Sequence, residues 1–166
     1  LSDLDLANQI AEELILLAEA QENGLYLFHG YQQKGNALQR KGEFEEAIQS
    51  YFKSAETAIS IGHSSGVGAA YMTIADVYAA MGNENNAALY YDKAIEALRN
   101  TTDSTSLGVA LLNAGDLNIT TGNLDKALSY SEESGLIFEA IDYQIGIAYN
   151  LGNIGIIHAM QNEDDL

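Results

Sequence analysis

Apolar residues recur at spacings of three and four along most of the chain, and short polar segments that contain glycine interrupt them. In residues 67–81, Tyr71, Ala75 and Tyr78 follow this spacing, which places them on one face of a helix. Residues 84–99 repeat the pattern after the short segment MGNE. Proline is absent, while Ala, Leu, Ile, Glu, Gln and Asn are common, so the pattern predicts helices joined by glycine turns rather than strands.

The helical pattern returns at intervals of 40 residues without a change of register. The aligned segments are YQQKGNALQRKGEFEEAIQSY, YMTIADVYAAMGNENNAALYY, LLNAGDLNITTGNLDKALSYS and LGNIGIIHAMQNEDDL. They coincide in a small residue of the first helix, a turn residue and a small residue of the second helix: Gly35, Ala75, Gly115 and Gly155; Gly42, Gly82, Gly122 and Asn162; Ala47, Ala87 and Ala127. Residues 1–22 read as the second half of an earlier unit, because Ala7 aligns with Ala47 under the same shift. Each unit is therefore predicted to be a helical hairpin.

The turn glycines indicate that the first helix of each hairpin ends in the left-handed conformation, which glycine adopts without a Cβ penalty. We expect Asn162 to adopt the left-handed conformation as well. Ser64 or Ser65 is expected to cap the helix that begins the second full unit. Small residues that face each other should let the two helices approach closely. Aromatic residues such as Tyr51 and Tyr91 are then expected to fill the layer between hairpins.

A single hairpin cannot bury both of its apolar faces, so successive hairpins have to stack on one another. The sequence therefore predicts an all-α fold, a right-handed α-solenoid of stacked antiparallel hairpins with about seven to eight helices. One array is expected to fill residues 1–166. It divides into the second helix of a partial repeat, three full repeats and the first helix of a partial repeat: 1–22, 27–62, 67–101, 106–141 and 145–162.

The net charge of the chain limits the kinds of partner that it can bind. Twenty-four acidic residues against seven basic ones give a net charge of −17, which would repel nucleic acid and anionic membrane surfaces and favours a neutral or basic partner. The alternative is that the charge only keeps an elongated helical surface soluble. No apolar stretch has the length of a membrane span, so we expect a soluble protein and the cytoplasm as its location. The absence of cysteine does not distinguish reducing from oxidising compartments.

The residue types that carry catalysis do not cluster along the chain. His29, His63 and His158 lie far apart, and none has a partner at metal-ligand spacing. The glycine-rich segment SSGVGAA lacks the lysine and the preceding strand of a phosphate-binding loop. Glu45 and Glu46 fall on a helix surface without an apolar pocket that would raise a pKa. We therefore expect no enzyme, no cofactor and no metal.

The segment KGNALQRKGEFEEAIQSYFKSA resembles the tetratricopeptide repeat family, whose helix-turn-helix units carry a Leu-Gly pair, a tyrosine, an alanine and an aromatic residue. The period of 40 exceeds the usual 34, as in variants from bacterial signalling proteins and animal spindle-orientation adaptors, and the closing proline is missing. Tyr31, Tyr71, Leu111 and Leu151 replace the family's tryptophan. The resemblance covers nearly the whole chain and implies a binding scaffold.

In such a scaffold the first helices line a concave groove that takes an extended peptide or a partner helix. Register with the family implies groove-facing residues on four first helices: His29, Gln32, Gln33, Asn36, Gln39 and Arg40; Met72, Thr73, Asp76 and Ala80; Leu112, Asn113, Asp116 and Thr120; Tyr149, Gly152, Asn153 and Ile156.

The asparagines of this groove have two interpretations. In relatives that hold extended peptides, asparagines before the Leu-Gly element bond the backbone of the ligand; Asn113 and Asn153 match them, and Gln33 and Thr73 match less well. An amide suits this role because it both donates and accepts. The alternative is that these asparagines tie neighbouring helices together and that Asp76 is a solvated surface charge.

The chaperone-binding branch of the family clamps a terminal carboxylate with lysines and an arginine. Gln32, Met72 and Leu112 occupy the matching positions here, with Asp76 and Asp116 one turn further on. This composition disfavours a ligand that depends on a terminal carboxylate.

Three functional hypotheses follow from the sequence. The first is a protein-interaction scaffold for a neutral to basic peptide or protein, as the sensory or scaffolding segment of a larger signalling protein. The second is self-assembly, in which the unpaired terminal helices stack head to tail and form a homo-oligomer. In the third, these repeats regulate a catalytic or DNA-binding domain outside the sequence.

Overall fold

A computed structural model describes the backbone of residues 2–164 and side chains as far as residue 161. These residues form eight α-helices and no strand, which confirms the predicted all-α fold. The helices, in chain order, are α1 (Asp3–Ala20), α2 (Gly24–Lys41), α3 (Phe44–Ser60), α4 (Ser64–Ala80), α5 (Glu84–Arg99), α6 (Ser104–Thr120), α7 (Leu124–Ala140) and α8 (Gln144–Asp164).

The helices pack in the order in which they follow one another along the chain. Each helix contacts the next, and the further contacts in the described chain join α2 to α4, α4 to α6 and α6 to α8. More distant helices do not touch within these residues. This nearest-neighbour packing defines an α-solenoid and confirms the stacked hairpins predicted from the repeat.

The hairpin turns follow the prediction at their glycines. Gly42, Gly82 and Gly122 have φ angles of 82°, 72° and 77°, in the left-handed region. At the second of these turns the N–H of Gly82 donates to Ala79 O at 3.0 Å, and the N–H of Asn83 donates to Tyr78 O at 2.8 Å. These bonds satisfy carbonyl groups that the end of a helix leaves without partners.

Two predictions at helix ends are wrong. Helix α8 continues through Asn162 to Asp164, because an asparagine carries a Cβ and the right-handed conformation costs it less than the left-handed one. Neither Ser64 nor Ser65 caps α4, since that helix begins at Ser64 and the capping position belongs to His63, whose side chain makes no cap hydrogen bond. Only one residue separates Gly62, with a φ of 68°, from the new helix.

Glycines in the first helices allow large buried side chains of the second helices to lie against the backbone. A Cβ at Gly68 would lie 2.4 Å from Leu98 Cγ, and one at Gly108 would lie 2.5 Å from Phe138 Cε1. Leu98 and Phe138 have no exposed surface, and burying such a side chain stabilises the fold by about 1.5–3 kcal/mol. These hairpins are thus held by a large residue that packs on a glycine.

The expected contact between facing small residues occurs in only some units. A Cβ on Gly115 would lie 3.7 Å from Ala127 O, so these two small residues do face each other. At Gly35 the ring of Tyr51 occupies the space instead, since a Cβ there would lie 2.5 Å from Tyr51 Cε1. Tyr51 also packs with Ile74 and Val77 of the next hairpin, which confirms its predicted place between hairpins.

Two buried tyrosines carry hydrogen bonds between helices. Tyr51 Oη lies 2.8 Å from both Asn36 Oδ1 and Gln39 Oε1. Tyr91 Oη donates to Asp76 Oδ1 at 2.6 Å, which joins α5 to α4. Burial raises the pKa of the Asp76 carboxyl, although hydrogen bonds from Tyr91 and Asn113 act in the opposite direction. Asp76 is therefore a half-buried structural acid and not a freely solvated surface charge.

Substitutions of two glycines test the close packing. Gly108→Ala should lower the free energy of unfolding by about 1–3 kcal/mol, because the added methyl group meets the buried Phe138 ring. Gly152→Ala is the matched control, since a Cβ there meets no atom within 4 Å and alanine favours a helix by up to about 1 kcal/mol. Urea unfolding measures both, and equal effects of the two variants would contradict this packing.

The raised pKa of Asp76 has a consequence for stability against pH. Because the folded chain binds this proton more readily than the unfolded chain, the contribution of Asp76 to stability is greatest below its unfolded pKa and is lost as the pH rises through its folded pKa. Asp76→Asn removes the ionisation and keeps an acceptor for Tyr91 and Asn113. We expect the free energy of unfolding of the variant, relative to the parent chain, to increase as the pH rises.

Urea unfolding at a series of pH values above the isoelectric point, which is near 4.1, measures this difference. Glu56→Gln provides the control, because Glu56 is exposed and lies in the interior of α3, away from the first turn. A pH-independent difference for Asp76→Asn would refute the assigned role of burial.

Candidate binding groove

The four first helices form one continuous side of the array. Helices α2, α4, α6 and α8 contact one another in a row, whereas α1, α3, α5 and α7 touch no other second helix within the described chain. The row of first helices is therefore the inner, more crowded side of the solenoid. We call the solvent-facing part of this row the inner surface.

The structure places most of the predicted groove residues at least partly within reach of solvent. Those that are exposed are His29, Gln33, Arg40, Ala80, Asp116, Thr120, Tyr149, Gly152 and Ile156. Those that are half-buried are Gln32, Asn36, Gln39, Met72, Thr73, Asp76, Asn113 and Asn153.

Leu112 does not face the groove as expected. Its side chain is only 8% exposed, and Met72 at the same repeat position packs against the core formed by α4, α5 and α6. An apolar residue there gains more from burial than from contact with solvent.

The asparagines of the inner surface bridge successive first helices. Asn113 Nδ2 donates to Asp76 Oδ1 at 3.2 Å, and Asn153 Nδ2 donates to Asp116 Oδ1. Both bonds span 37 residues, so each joins one unit to the next. These contacts agree with the interpretation that the asparagines tie helices together. Contact with a ligand stays a prediction. Each amide can still form further hydrogen bonds, since it has two N–H donors and an acceptor.

Asp76 and Asp116 occupy the same repeat position but have different surroundings. Asp76 accepts from Tyr91 and Asn113 and is half-buried. Asp116 is exposed and accepts from Asn153; partial burial of its carboxyl still raises its pKa. The third full unit has Ser131 where the two preceding units have Tyr51 and Tyr91, so the phenol that would reach the Asp116 position is missing.

Two clefts open at equivalent places of the repeat. The acidic cleft, of about 240 Å³, is lined by Ala79, Gly82, Glu84, Tyr91, Asn113, Asp116, Leu117 and Thr120. The apolar cleft, of about 280 Å³, is lined by Ala7, Ile10, Ala11, Leu14, Gln33, Asn36, Ala37 and Arg40. A shift of two repeats superimposes the α6 residues of the acidic cleft on the α2 residues of the apolar cleft. Predicted groove residues therefore line both.

Sequence reasoning did not identify Glu84 as part of the groove. It begins α5 and lines the acidic cleft. A signal for it existed, because the same repeat position holds Leu4, Phe44 and Leu124 in the other units. A single acidic residue at a repeat position that is apolar in the other units indicates that packing alone did not select it.

Two kinds of feature are missing from residues 2–164. No group of three or more His, Cys, Asp or Glu side chains in this part of the chain is arranged to hold a metal ion. Among the helices described here, none combines the length and the apolar character needed to cross a membrane.

The sequence matches a known family of repeat proteins. Residues 27–100 match the family model described as tetratricopeptide repeat. No curated protein matches the sequence.

Among solved structures, BtubC from P. vanneervenii is 16% identical with a TM-score of 0.71, over 97% of this chain and 75% of that one. A signal transduction ATPase from Pyrococcus horikoshii with a tetratricopeptide repeat sensor is 20% identical with a TM-score of 0.78, over 91% of this chain and 24% of that one. The Rap conjugation gene regulator of plasmid pLS20, solved in complex with the Phr* peptide, is 18% identical with a TM-score of 0.68, over 87% of this chain and 40% of that one.

These structures share the fold of the present chain, which spans three quarters of the first and less than half of the other two. The sequence match covers the first full hairpin and the one after it, α2 to α5. The remaining described helices continue the same packing order. Residues 27–100 thus resemble the tetratricopeptide repeat family in sequence, and the described chain shares the fold of these solved structures.

Proposed function

We propose that this chain is a protein-interaction scaffold that binds an extended peptide or a partner helix on its inner surface. The observation that carries the proposal is the row of four first helices, which presents polar side chains and two clefts to solvent on one side of the array. Clefts with a few polar groups on a rigid framework are the usual form of a recognition site. The residues proposed to contact the ligand are those predicted for the groove.

Charge supports a neutral or basic ligand. The chain carries a net charge of −17, and Asp76 and Asp116 lie on the inner surface. A potential of this sign favours encounter with basic segments and opposes acidic ones. The clamp positions for a terminal carboxylate hold Gln32, Met72 and the buried Leu112, so we propose that the ligand is recognised through its internal residues.

The solved structures support two finer parts of the proposal. The Rap regulator of plasmid pLS20 was solved with a peptide, which supports a peptide ligand for the present chain. The Pyrococcus horikoshii protein uses a tetratricopeptide repeat as a sensor within a larger ATPase, and its match covers 24% of that protein. We accordingly propose that the chain acts as the sensory or scaffolding segment of a larger signalling protein and has no catalytic role of its own.

Tyr149→Ala tests the inner surface as the binding site. The Tyr149 side chain is 67% exposed on α8, at the repeat position of His29. The probe is a peptide selected from a displayed library of random sequences against the intact chain. Loss of an exposed aromatic contact should weaken its binding by about tenfold, as measured by fluorescence anisotropy.

Leu136→Ala is the matched control, because Leu136 is 70% exposed but lies on the second helix α7. It should leave the affinity unchanged. Both variants should unfold at the same temperature as the parent chain, since neither side chain is buried. Equal losses in the two variants, or no loss in either, would argue against the inner surface.

Self-assembly is the second candidate, and the end faces of the array favour it. Leu151 on α8 is 63% exposed, whereas Leu111 at the same repeat position is fully buried. Ala7 on α1 is exposed, whereas Ala47 and Ala127 at its position are fully buried. A first helix of one copy and a second helix of another would rebuild the internal hairpin contact. Such a heterologous contact propagates or closes into a ring.

Light scattering from micromolar to millimolar chain concentrations tests this second candidate. If copies stack end to end, the average mass should rise with concentration, and Leu151→Glu should abolish the rise by placing a charge in the contact. Leu136→Glu, an equally exposed position away from the ends, should behave as the parent chain does. A parent chain that stays monomeric at the highest concentration would exclude assembly through these faces.

A further inference from the structure

The acidic cleft lies beside a repeat position that changes from apolar to acidic. In the preceding unit Phe44 occupies this position and packs against the core that contains Leu38 and Val77. Leu4 and Leu124 keep it apolar elsewhere. In the second unit Glu84 is exposed, and a cleft of about 240 Å³ opens beside it.

A second departure from the repeat concerns Asp116, which lines the same cleft. Ser131 replaces the tyrosine that would be expected beside Asp116, by analogy with Tyr91 beside Asp76. Ser131 is fully buried, and its Oγ has no hydrogen-bond partner in the described chain. Asp116 therefore lacks the phenolic donor that Asp76 has, and its carboxylate stays exposed at the cleft.

The lining of the cleft combines an apolar part with carboxylates. Ala79 and Leu117 supply methyl groups, and Glu84 and Asp116 supply negative charge. No ion pair in the described part of the chain uses either carboxylate, since the pairs there involve Asp5, Glu12, Glu43, Asp92 and Glu133. A long side chain with an apolar stem and a cationic end complements such a lining.

We propose that the acidic cleft anchors a lysine or arginine side chain of the bound peptide. The stem lies in the space that Phe44 fills in the preceding unit, between Ala79 and Leu117, and the cation lies between Glu84 and Asp116. This inference rests on the proposed peptide-binding function and adds the chemistry of one residue of the ligand. The overall negative charge of the chain acts in the same direction.

The competing explanation for Glu84 is structural. As the first residue of α5, its carboxylate interacts favourably with the N-terminal end of the helix dipole. In that case Glu84→Gln would lower the unfolding temperature and leave the sequence preference of the ligand unchanged. The two explanations therefore predict different results in a binding experiment.

The test starts with a displayed library of short random peptides selected on the intact chain. We expect a basic residue at one fixed place in the selected peptides. Replacing an arginine there by citrulline, which is nearly isosteric and neutral, should weaken binding roughly tenfold, by the size of one charge-assisted contact. When the peptides bind to the Glu84→Gln variant, replacing arginine by citrulline should have little effect on the affinity. A double-mutant cycle then measures the coupling between the arginine and Glu84.

Two further variants complete the test. Glu84→Phe restores the residue type of the preceding unit, fills the cleft, and should eliminate the selection of basic residues while the chain stays folded. Glu45→Gln is the control, because Glu45 is an exposed acid in the first turn of α3 that does not line the cleft. It should leave the coupling unchanged.

The outcomes separate the inference from the function on which it rests. Selected peptides that depend on Tyr149 but lack a basic residue, or whose basic residue does not couple to Glu84, would overturn the anchor site and leave the scaffold function in place. A library that yields no peptide above background would overturn both.

Discussion

The structure depends on one constraint: a helical hairpin covers only one apolar side of each of its helices, and the other side has to be covered by the next hairpin. Two residues at equivalent repeat positions show how much surface the next hairpin covers. Leu111 on α6 is fully buried, whereas Leu151 on α8 is 63% exposed. Because contacts run only between neighbours, stability is a sum of local terms. The same arrangement leaves the row of first helices accessible along its whole length.

Within this constraint the polar residues of the inner surface serve two purposes. Asn113 and Asn153 join one unit to the next through Asp76 and Asp116. Such bonds fix the spacing of the first helices, and that spacing sets the positions at which a ligand would meet the surface. A peptide that used these amides would add to bonds that already exist, and would not have to order free side chains. That lowers the entropic cost of binding.

Much of the fold could be predicted from the sequence, because each of its determinants is local or repeats. The turn glycines, the helix spans and the order of packing follow from spacing and from the recurrence of small residues. The errors lie where one residue faces two competing conformations or surfaces. His63 rather than a serine precedes α4, and Asn162 continues α8. The exact residue at which a helix begins or ends depends on the length of the turn, which the repeat pattern does not define to one residue.

The site was less predictable than the fold. Register alone identified the polar positions of the inner surface, but the partners of Asp76 and Asn113 depend on the distance between helices, which the sequence does not contain. Register with the family predicts Leu112 in the groove, at the repeat position that Gln32 occupies in the first full unit. Different units use this position differently, since Leu112 is buried whereas Gln32 is half-buried.

Departures from a repeat carry more functional information than the repeat itself. A residue that agrees with its equivalents is explained by packing, since every unit faces the same packing problem. Glu84 and Ser131 depart from that pattern, and each has a cost: the first gives up apolar contacts that Phe44 makes, and the second leaves a buried hydroxyl without a partner, at about 1–3 kcal/mol. Neither departure improves apolar packing, although Glu84 also interacts favourably with the dipole of α5. A benefit in binding would account for both.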